Sequence, residues 1–207
     1  CPQRDERLGW TGDAQVFIRT ACYLMGTAPF FKKWLRDLKA EQFENGGIPH
    51  VIPNVLIKIY ENGKLIQDDN SSCGWGDAAV TCPRTVYECY GDHRIMEEQY
   101  ECMKGWVEYI RSQAQDGVLW NTGIHYGDWC ALDAKEGSCF GATPNDFVAT
   151  AFYAYSTELL AKSAEVLGFI NDAENYTQLH KDIVKAFQRE FFTPAGRLAV
   201  RTQTAHI

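Results

Sequence analysis

Helical periodicity that recurs in adjacent pairs is the feature that most constrains how this 207-residue chain can fold. Six segments carry apolar residues at helical spacing, and the second member of each pair follows the first after a short connection. Short connections make successive helices antiparallel neighbours. The chain is therefore predicted to be all-α, with three helical hairpins. The six segments cover about 13–25, the stretch around Phe31, Leu35 and Leu38, and then about 78–90, 94–115, 143–167 and 171–191.

The third pair carries explicit capping signals. Thr143 and Pro144 combine a capping residue with proline at the first helical position, which predicts the start of the fifth helix. Asn171 with Glu174 resembles a capping box for the sixth helix. The expected apolar faces are Val148, Phe152, Tyr155, Leu159 and Val166 in the fifth helix, and Leu179, Ile183, Phe187 and Phe191 in the sixth.

Two long loops separate the pairs. The loop from 46 to 76 is expected to hold a β-hairpin with strands 56–60 and 65–67, because Asn62-Gly63 favours a tight turn between them. The loop from 115 to 142 is rich in Gly, Trp, Asp and Cys. Long ordered loops on a helical scaffold are where binding sites are expected.

Charge and cysteine content narrow the partners. The formal net charge is −7 and no basic stretch is interleaved with aromatics, so no nucleic-acid partner is expected. No apolar run approaches the ~20 residues needed to cross a bilayer, and no membrane partner is expected. Eight cysteines without a CxxC pair argue against zinc and favour a reducing, cytoplasmic compartment, with a Cys130–Cys139 loop disulfide left open. No cofactor is expected, and a weakly charged or uncharged substrate fits best.

The stretch from Cys1 to Gln15 places three carboxylates, two arginines and a tryptophan in one loop and the following helix start. Carboxylates raise each other's pKa and arginines lower it, so such a group can keep one acid protonated while another stays ionised. Cleavage of a glycosidic bond requires that division. The alternatives are that these charges are merely solvated, that Asp13 stabilises the helix dipole, and that Trp10 anchors the core.

Two later segments each place a tryptophan beside an aspartate among glycines. These are Trp75 with Asp77, and Asp128 with Trp129. A flat aromatic ring covers the apolar face of a sugar, and a carboxylate accepts hydrogen bonds from its hydroxyls. Either pair alone is as readily explained by packing and capping, whereas three such segments before three hairpins favour one shared pocket. His125 is expected to be an internally hydrogen-bonded residue.

The stretch from Cys1 to Gln15 resembles the signature of the family 78 α-L-rhamnosidases, in which it opens an (α/α)6 barrel. Residues 75–80 and 127–129 resemble later segments of that family in the same order. The resemblance implies that residues 1–207 form the N-terminal portion of the catalytic domain, the first half of the barrel. The family's general base, a glutamate, would then lie outside this chain, and the isolated segment should not turn over.

The resemblance also implies an inverting glycoside hydrolase that releases terminal α-L-rhamnose from glycosides or polysaccharides. Two alternatives stay open: another helical-barrel glycosidase such as an α-fucosidase or an unsaturated glucuronyl hydrolase, and a non-catalytic sugar-binding relic. The carboxylate of a uronic acid substrate would be expected to bind to Arg or Lys side chains. The two later Trp-Asp segments contain no Arg or Lys, which disfavours a uronic acid substrate. Residue by residue, the resemblance assigns Glu6 as general acid and Trp10, Asp13, Trp75, Asp77, Asp128 and Trp129 as substrate-binding residues.

Overall fold

The computed structural model describes residues 5–56, 59–61, 64–67 and 71–207, and confirms the all-α architecture. Six α-helices lie in these ranges, together with one pair of short strands and a terminal 3-10 helix at Thr204–His206. The helices are α1 (Thr11–Leu24), α2 (Ala28–Glu41), α3 (Ala78–Tyr90), α4 (Arg94–Gln113), α5 (Asn145–Leu167) and α6 (Ile170–Phe191). The strands are β1 (Ile59–Glu61) and β2 (Lys64–Gln67).

The helices form two layers that alternate along the chain. In the first layer, α3 packs between α1 and α5, and in the second, α2 packs against α4. The layers are joined by contacts of α3 with α2 and α4, and of α5 with α4 and α6. The first two hairpins therefore contribute one helix to each layer, and the third contributes α5 to the first layer with α6 packed against it. This arrangement places the loops that precede α1, α3 and α5 at the same end of the molecule.

Helix α5 is buried on more sides than its apolar pattern predicts. Tyr155 and Val166, expected on the buried face, are 48% and 42% exposed. Helices α3, α4 and α6 instead cover small polar residues, and Thr157 and Ser163 are both fully buried. Their hydroxyls donate to carbonyls one turn earlier in the same helix. Because these hydroxyls are hydrogen-bonded within their own helix, Thr157 and Ser163 can be buried although they are polar. An apolar pattern in the sequence therefore does not detect them.

The expected caps of the third hairpin are wrong. Helix α5 follows Pro144 without a side-chain cap, because the Thr143 hydroxyl bonds elsewhere. Gly168, in the left-handed conformation at φ +76°, ends α5 by donating its N–H to the Glu165 carbonyl. Since α6 already begins at Ile170, the supposed capping box of 171–174 lies inside its first turn. The left-handed glycine shortens the connection to two residues.

The predicted β-hairpin is confirmed as an antiparallel pairing of β1 with β2, with Glu61 opposite Lys64. The expected Asn62-Gly63 turn lies outside the described residues. Within the described ranges, no helix is both long enough and apolar enough to cross a membrane.

Candidate active site

The candidate site lies where α1, α3 and α5 begin. Trp10 immediately precedes α1, Trp75 lies three residues before α3, and the loop from 120 to 144 leads into α5. Asn145, the first residue of α5, donates a side-chain hydrogen bond to the His125 carbonyl and so fastens this loop to the helix. The positive ends of three helix dipoles therefore lie near one another, which favours groups that carry or develop negative charge.

Tyr126 is the centre of the aromatic cluster at this end. Its ring centroid lies 4.5 Å from Trp75, 5.5 Å from Trp129 and 6.3 Å from Trp10. His50 is a fourth neighbour at 5.1 Å. Three other segments of the chain thus meet the segment that holds Tyr126 and Trp129. The structure therefore brings together the three tryptophans that the sequence singled out.

Glu6 is joined to this cluster through Trp10. The Trp10 Nε1 donates to the Glu6 Oε2 at 2.9 Å, while the Glu6 side chain is exposed. The next residue, Arg7, has a left-handed backbone with φ 64°, a conformation that non-glycine residues adopt mostly at tight turns and functional sites. Glu6 therefore presents an exposed carboxyl group with one oxygen held by an indole.

The segment that carries Trp10 is pinned to residues 50–52. Trp10 forms an antiparallel bridge with Val51, and the Thr11 N–H donates to the His50 carbonyl at 2.9 Å. Gly9 is required here because a Cβ would lie 2.2 Å from the Ile52 carbonyl oxygen. The position of Trp10 therefore depends on backbone contacts across 39 residues of sequence.

Asp13 lies in the first turn of α1 and is half-buried. Among the described residues no hydrogen bond or ion pair of its carboxylate is present. The preceding residue, Gly12, allows the Trp75 ring to pack on α1, since a Cβ there would approach that ring to 3.0 Å. Gln15 completes the contact by donating from Nε2 to the Gly74 carbonyl at 2.8 Å. The first turn of α1, which carries Asp13, and the loop that carries Trp75 are thereby held together.

Asp77 does not reach the site, and its expected role as a sugar ligand is wrong in this structure. Its side chain is fully buried, with Oδ1 accepting hydrogen bonds from Trp106 Nε1 at 2.9 Å and from the Ser156 hydroxyl. Its Oδ2 accepts from the Gly74 N–H at 2.7 Å. Burial raises the pKa of Asp77 to about 6, against the opposing effect of these hydrogen bonds. Asp77 positions the Trp75 loop rather than a substrate.

Asp128 braces the loop that carries Trp129. Its two carboxylate oxygens accept from the hydroxyls of Thr143 at 2.6 Å and Thr204 at 2.8 Å. These bonds tie the loop to the start of α5 and to the terminal 3-10 helix. Trp129 itself is 44% exposed and packs edge-on against Phe140, with centroids 5.3 Å apart. A direct contact of Asp128 with a sugar stays a prediction.

Two buried histidines lie beneath the aromatic cluster. The Nδ1 of His125 accepts from the Cys73 N–H, and its Nε2 lies 2.9 Å from the Thr122 carbonyl, so the ring is internally bonded as expected. Burial, with a smaller effect of His125, lowers the pKa of His50 to about 4. Burial also lowers the pKa of His125. Both rings are neutral at physiological pH and add no cation to the site.

Sequence reasoning did not single out Tyr126 or His50. Tyr126 was adjacent to a recognised Trp-Asp pair, but nothing in the order of residues distinguishes a tyrosine that contacts three indoles. His50 lies in a segment without helical or strand periodicity. Within the described residues, no group of three or more His, Cys, Asp or Glu side chains is placed to hold a metal ion.

A separate cavity of about 460 Å³ lies at the far end of α5, lined by Tyr100, Glu101 and residues 168–172. Of its two acids, Asp172 already accepts a hydrogen bond from the Tyr100 hydroxyl at 2.9 Å and pairs with Lys104 at 3.0 Å. The other acid, Glu101, is exposed on α4, and the lining of this cavity contains no tryptophan. The end of the molecule that carries Glu6 is the better candidate for chemistry.

The comparisons with known proteins find relatives that match the whole chain. Residues 1–207 match the family model described as the bacterial α-L-rhamnosidase six-hairpin glycosidase domain. An α-L-rhamnosidase of Formosa agariphila is 40% identical over 209 residues, which cover 100% of this chain and 21% of that protein. One from Streptomyces avermitilis is 39% identical over 206 residues, covering 100% of this chain and 18% of that protein.

Two solved structures are similar throughout the chain. The Streptomyces avermitilis α-L-rhamnosidase complexed with L-rhamnose has a TM-score of 0.79 at 37% identity, covering 97% of this chain and 17% of that one. The native α-L-rhamnosidase of Aspergillus terreus has a TM-score of 0.86 at 38% identity, covering 99% of this chain and 23% of that one. The chain thus spans about a fifth of the length of these relatives.

Proposed function

The chain belongs to the bacterial α-L-rhamnosidase six-hairpin glycosidase family, and on that premise we propose that its full-length protein is an inverting glycoside hydrolase that releases terminal α-L-rhamnose. Glu6 is the proposed general acid. Asp13 and the rings of Trp10, Trp75 and Trp129 are the proposed walls of the sugar subsite. The relative from Streptomyces avermitilis was solved with L-rhamnose, which supports the choice of sugar.

The observation that carries the proposal is the exposed carboxyl of Glu6 at the edge of an aromatic cluster. Trp10 holds one Glu6 oxygen at 2.9 Å and contacts Tyr126, the centre of that cluster. A deoxy sugar such as rhamnose presents C–H groups and a methyl group, and aromatic faces bury them without competing for hydroxyls. The half-buried Asp13 supplies acceptors for those hydroxyls. The site therefore combines an apolar wall, a hydrogen-bond acceptor and a proton donor.

Inversion assigns different tasks to two carboxyl groups. Glu6 donates a proton to the departing glycosidic oxygen, while a base on the opposite side of the ring removes a proton from the attacking water. The two carboxyls are then about 6.5–9.5 Å apart, which leaves room for the water. The base is a glutamate that we place beyond residue 207. On this proposal residues 1–207 hold half of the site and do not turn over alone.

The remaining hairpins are proposed to complete a barrel by packing on α1. That helix exposes Val16, Phe17 and Leu24 to 78%, 52% and 67%. Contiguous exposed apolar side chains on a helix of a globular domain mark a surface that another element covers. In this proposal the chain is the N-terminal portion of a catalytic domain whose further hairpins and flanking domains lie outside it.

The proposal is tested with the full-length protein on a panel of 4-nitrophenyl glycosides, with NMR following the anomer first released. We expect cleavage of the α-L-rhamnoside and initial release of β-L-rhamnose. Preferential cleavage of an α-L-fucoside would favour the related glycosidase, and sugar binding without cleavage would favour a binding relic. Initial release of α-L-rhamnose would leave the sugar assignment intact and reject inversion.

A further inference from the structure

Cys130 and Cys139 lie opposite each other beside the candidate site. The Cys130 N–H donates to the Cys139 carbonyl at 2.6 Å, and the adjacent residues Trp129 and Phe140 form an antiparallel bridge. Cys130 has a left-handed backbone with φ 60°, so it departs from a regular extended ladder, but this hydrogen bond keeps it opposite Cys139. A disulfide spans Cα atoms roughly 4.4–6.8 Å apart, which residues joined by a direct backbone hydrogen bond can satisfy.

The two thiols also meet each other in solvent. Both side chains are exposed and both are free thiols in this structure. Slight burial and the neighbouring Cys139 thiol raise the pKa of Cys130, as expected when one thiol hydrogen-bonds with another. In contrast, Cys73, Cys82 and Cys102 are buried. Only an exposed thiol can react with a soluble disulfide, so this pair differs from the core cysteines in reactivity.

The loop between the two cysteines has its own internal bonds. The Ala134 N–H donates to the Ala131 carbonyl at 3.1 Å, and the Ser138 N–H donates to the Lys135 carbonyl at 2.9 Å. The Asp133 carboxylate accepts from the Ala142 N–H at 3.1 Å. Because the loop is already folded back on itself, joining its ends requires little rearrangement.

We propose that Cys130 and Cys139 form a reversible intrachain disulfide, with oxidised glutathione or a similar small disulfide as the oxidant. One thiolate attacks the small disulfide, forming a mixed disulfide and releasing one reduced glutathione. The second thiolate then attacks the sulfur of the mixed disulfide and releases the second glutathione. The two protons leave the cysteine thiols and end on the two released glutathione thiolates, and two electrons pass to glutathione, so the exchange balances.

The disulfide would stiffen the support of Trp129. The Cys130 and Gly141 N–H groups donate the two backbone bonds that flank the pairing of Trp129 with Phe140. A covalent link at Cys130 prevents the first bond from opening and limits opening of the second. The proposal does not depend on the reaction that the site performs, since its readouts are a mass and an exchange rate.

The sequence offers a direct test with trypsin. Lys135 lies between the two cysteines, and cleavage there places Cys130 in peptide 112–135 and Cys139 in peptide 136–162, each with one cysteine. The full-length protein is equilibrated in a series of glutathione buffers that range from reducing to oxidising, and free thiols are then blocked with N-ethylmaleimide. The protein is digested with trypsin, and the peptide masses are measured by mass spectrometry. We expect the joined peptides under oxidising conditions and their disappearance on adding dithiothreitol.

The Cys130→Ser and Cys139→Ser variants are matched controls, because both positions are exposed and neither variant should yield the joined mass. Hydrogen exchange supplies the second readout, with the Cys130 and Gly141 amides expected to exchange at least about threefold more slowly after oxidation. Two blocked thiols in the most oxidising buffer, or linkage of either cysteine to a different one, would overturn the disulfide. Linkage without slower exchange would overturn the stiffening of the Trp129 support.

Discussion

Two pairs of a carboxylate and an indole are built alike and differ in their surroundings. Trp10 Nε1 donates to Glu6 and Trp106 Nε1 donates to Asp77, each at 2.9 Å. Asp77 and Trp106 are both fully buried, and Asp77 has two further donors. Glu6 is exposed, and Trp10 is its hydrogen-bond donor among the described residues.

On the proposed function, this difference separates a structural acid from a reactive one. An acid whose oxygens are all occupied by buried donors can neither accept a sugar hydroxyl nor reach a glycosidic oxygen. An exposed acid such as Glu6 can reach both groups of a bound substrate. The same residue types at the same hydrogen-bond distance therefore serve different purposes, and burial decides which. The predictions that follow test this distinction, beginning with the largest expected effect.

Glu6→Gln should abolish most activity of the full-length protein, because glutamine keeps the shape and has no proton to donate. We expect kcat/KM on a natural rhamnoside to fall by about 10²–10⁴-fold, with a smaller fall on an aryl rhamnoside whose leaving group needs less protonation. Glu174→Gln makes the same chemical change at an exposed position of α6 and should leave rates unchanged. Equal losses on both substrates would assign Glu6 to binding, and Glu6 could then no longer be contrasted with Asp77 as a reactive acid.

Asp77→Ala should act on stability instead. The change leaves Trp106 Nε1 and the Ser156 hydroxyl without an acceptor in the core, and unfolding in urea should show a loss of about 3–5 kcal/mol. Asp13→Ala removes an acid that has no partner among the described residues, and should cost less than about 1 kcal/mol. A stable Asp77→Ala protein would mean that the buried pair does not brace the fold.

The pH dependence of stability should carry the signature of Asp77. Its pKa is raised from 3.8 to about 6, so between these values the unfolded chain has released this proton while the native protein retains it. The contribution of Asp77 to stability therefore falls as pH rises across this range, by at most about 3 kcal/mol at ~1.4 kcal/mol per pKa unit.

The measurement is the difference in unfolding free energy between the wild-type protein and Asp77→Asn, from about pH 4 to about pH 7. The neutral asparagine cannot titrate, so groups common to both proteins cancel. If the unfolding free energy of the wild-type protein minus that of Asp77→Asn rose with pH, the hydrogen bonds to Asp77 would outweigh its burial.

Tyr126→Leu should weaken substrate binding with a smaller effect on kcat. Leucine removes the ring contacts with the three tryptophans, and an aromatic pair contributes about 0.5–1.5 kcal/mol beyond its buried area. We expect KM to rise on the order of tenfold, or ~1.4 kcal/mol, with kcat less affected. Tyr126→Phe keeps the ring and should restore most of the affinity. If Phe were as damaging as Leu, the tyrosine ring would not be what positions the cluster.

The helical hairpins were accessible from the sequence because helix periodicity is a local property. Gly168 marked the end of α5 correctly, whereas the box at 171–174 misplaced the start of α6. The buried threonines and serines of α5 left no apolar signal, and so its exposed and buried faces were partly misassigned. Where burial is achieved by small polar groups bonded to their own helix, the apolar pattern is an incomplete guide.

The segments of the site were likewise accessible, while the roles within them were not. Trp75 and Asp77 are two residues apart, yet the ring of Trp75 contacts Tyr126 and the carboxylate of Asp77 lies in the core. The sequence pattern of an aromatic residue next to an acid is the same whether one or both side chains face the candidate site. Tyr126, the residue on which the rings converge, had no distinguishing pattern at all.

The sequence by itself determined the three hairpins, the family and the short segments from which the site is built, because each is encoded in spacing along the chain. Only the tertiary structure decided which acid is buried and which is exposed. Two of the three donors to Asp77 come from Trp106 and Ser156, 29 and 79 residues away, whereas Glu6 is held by a tryptophan four residues along. Burial depends on what packs around a side chain, and those neighbours are brought together only when the helices assemble.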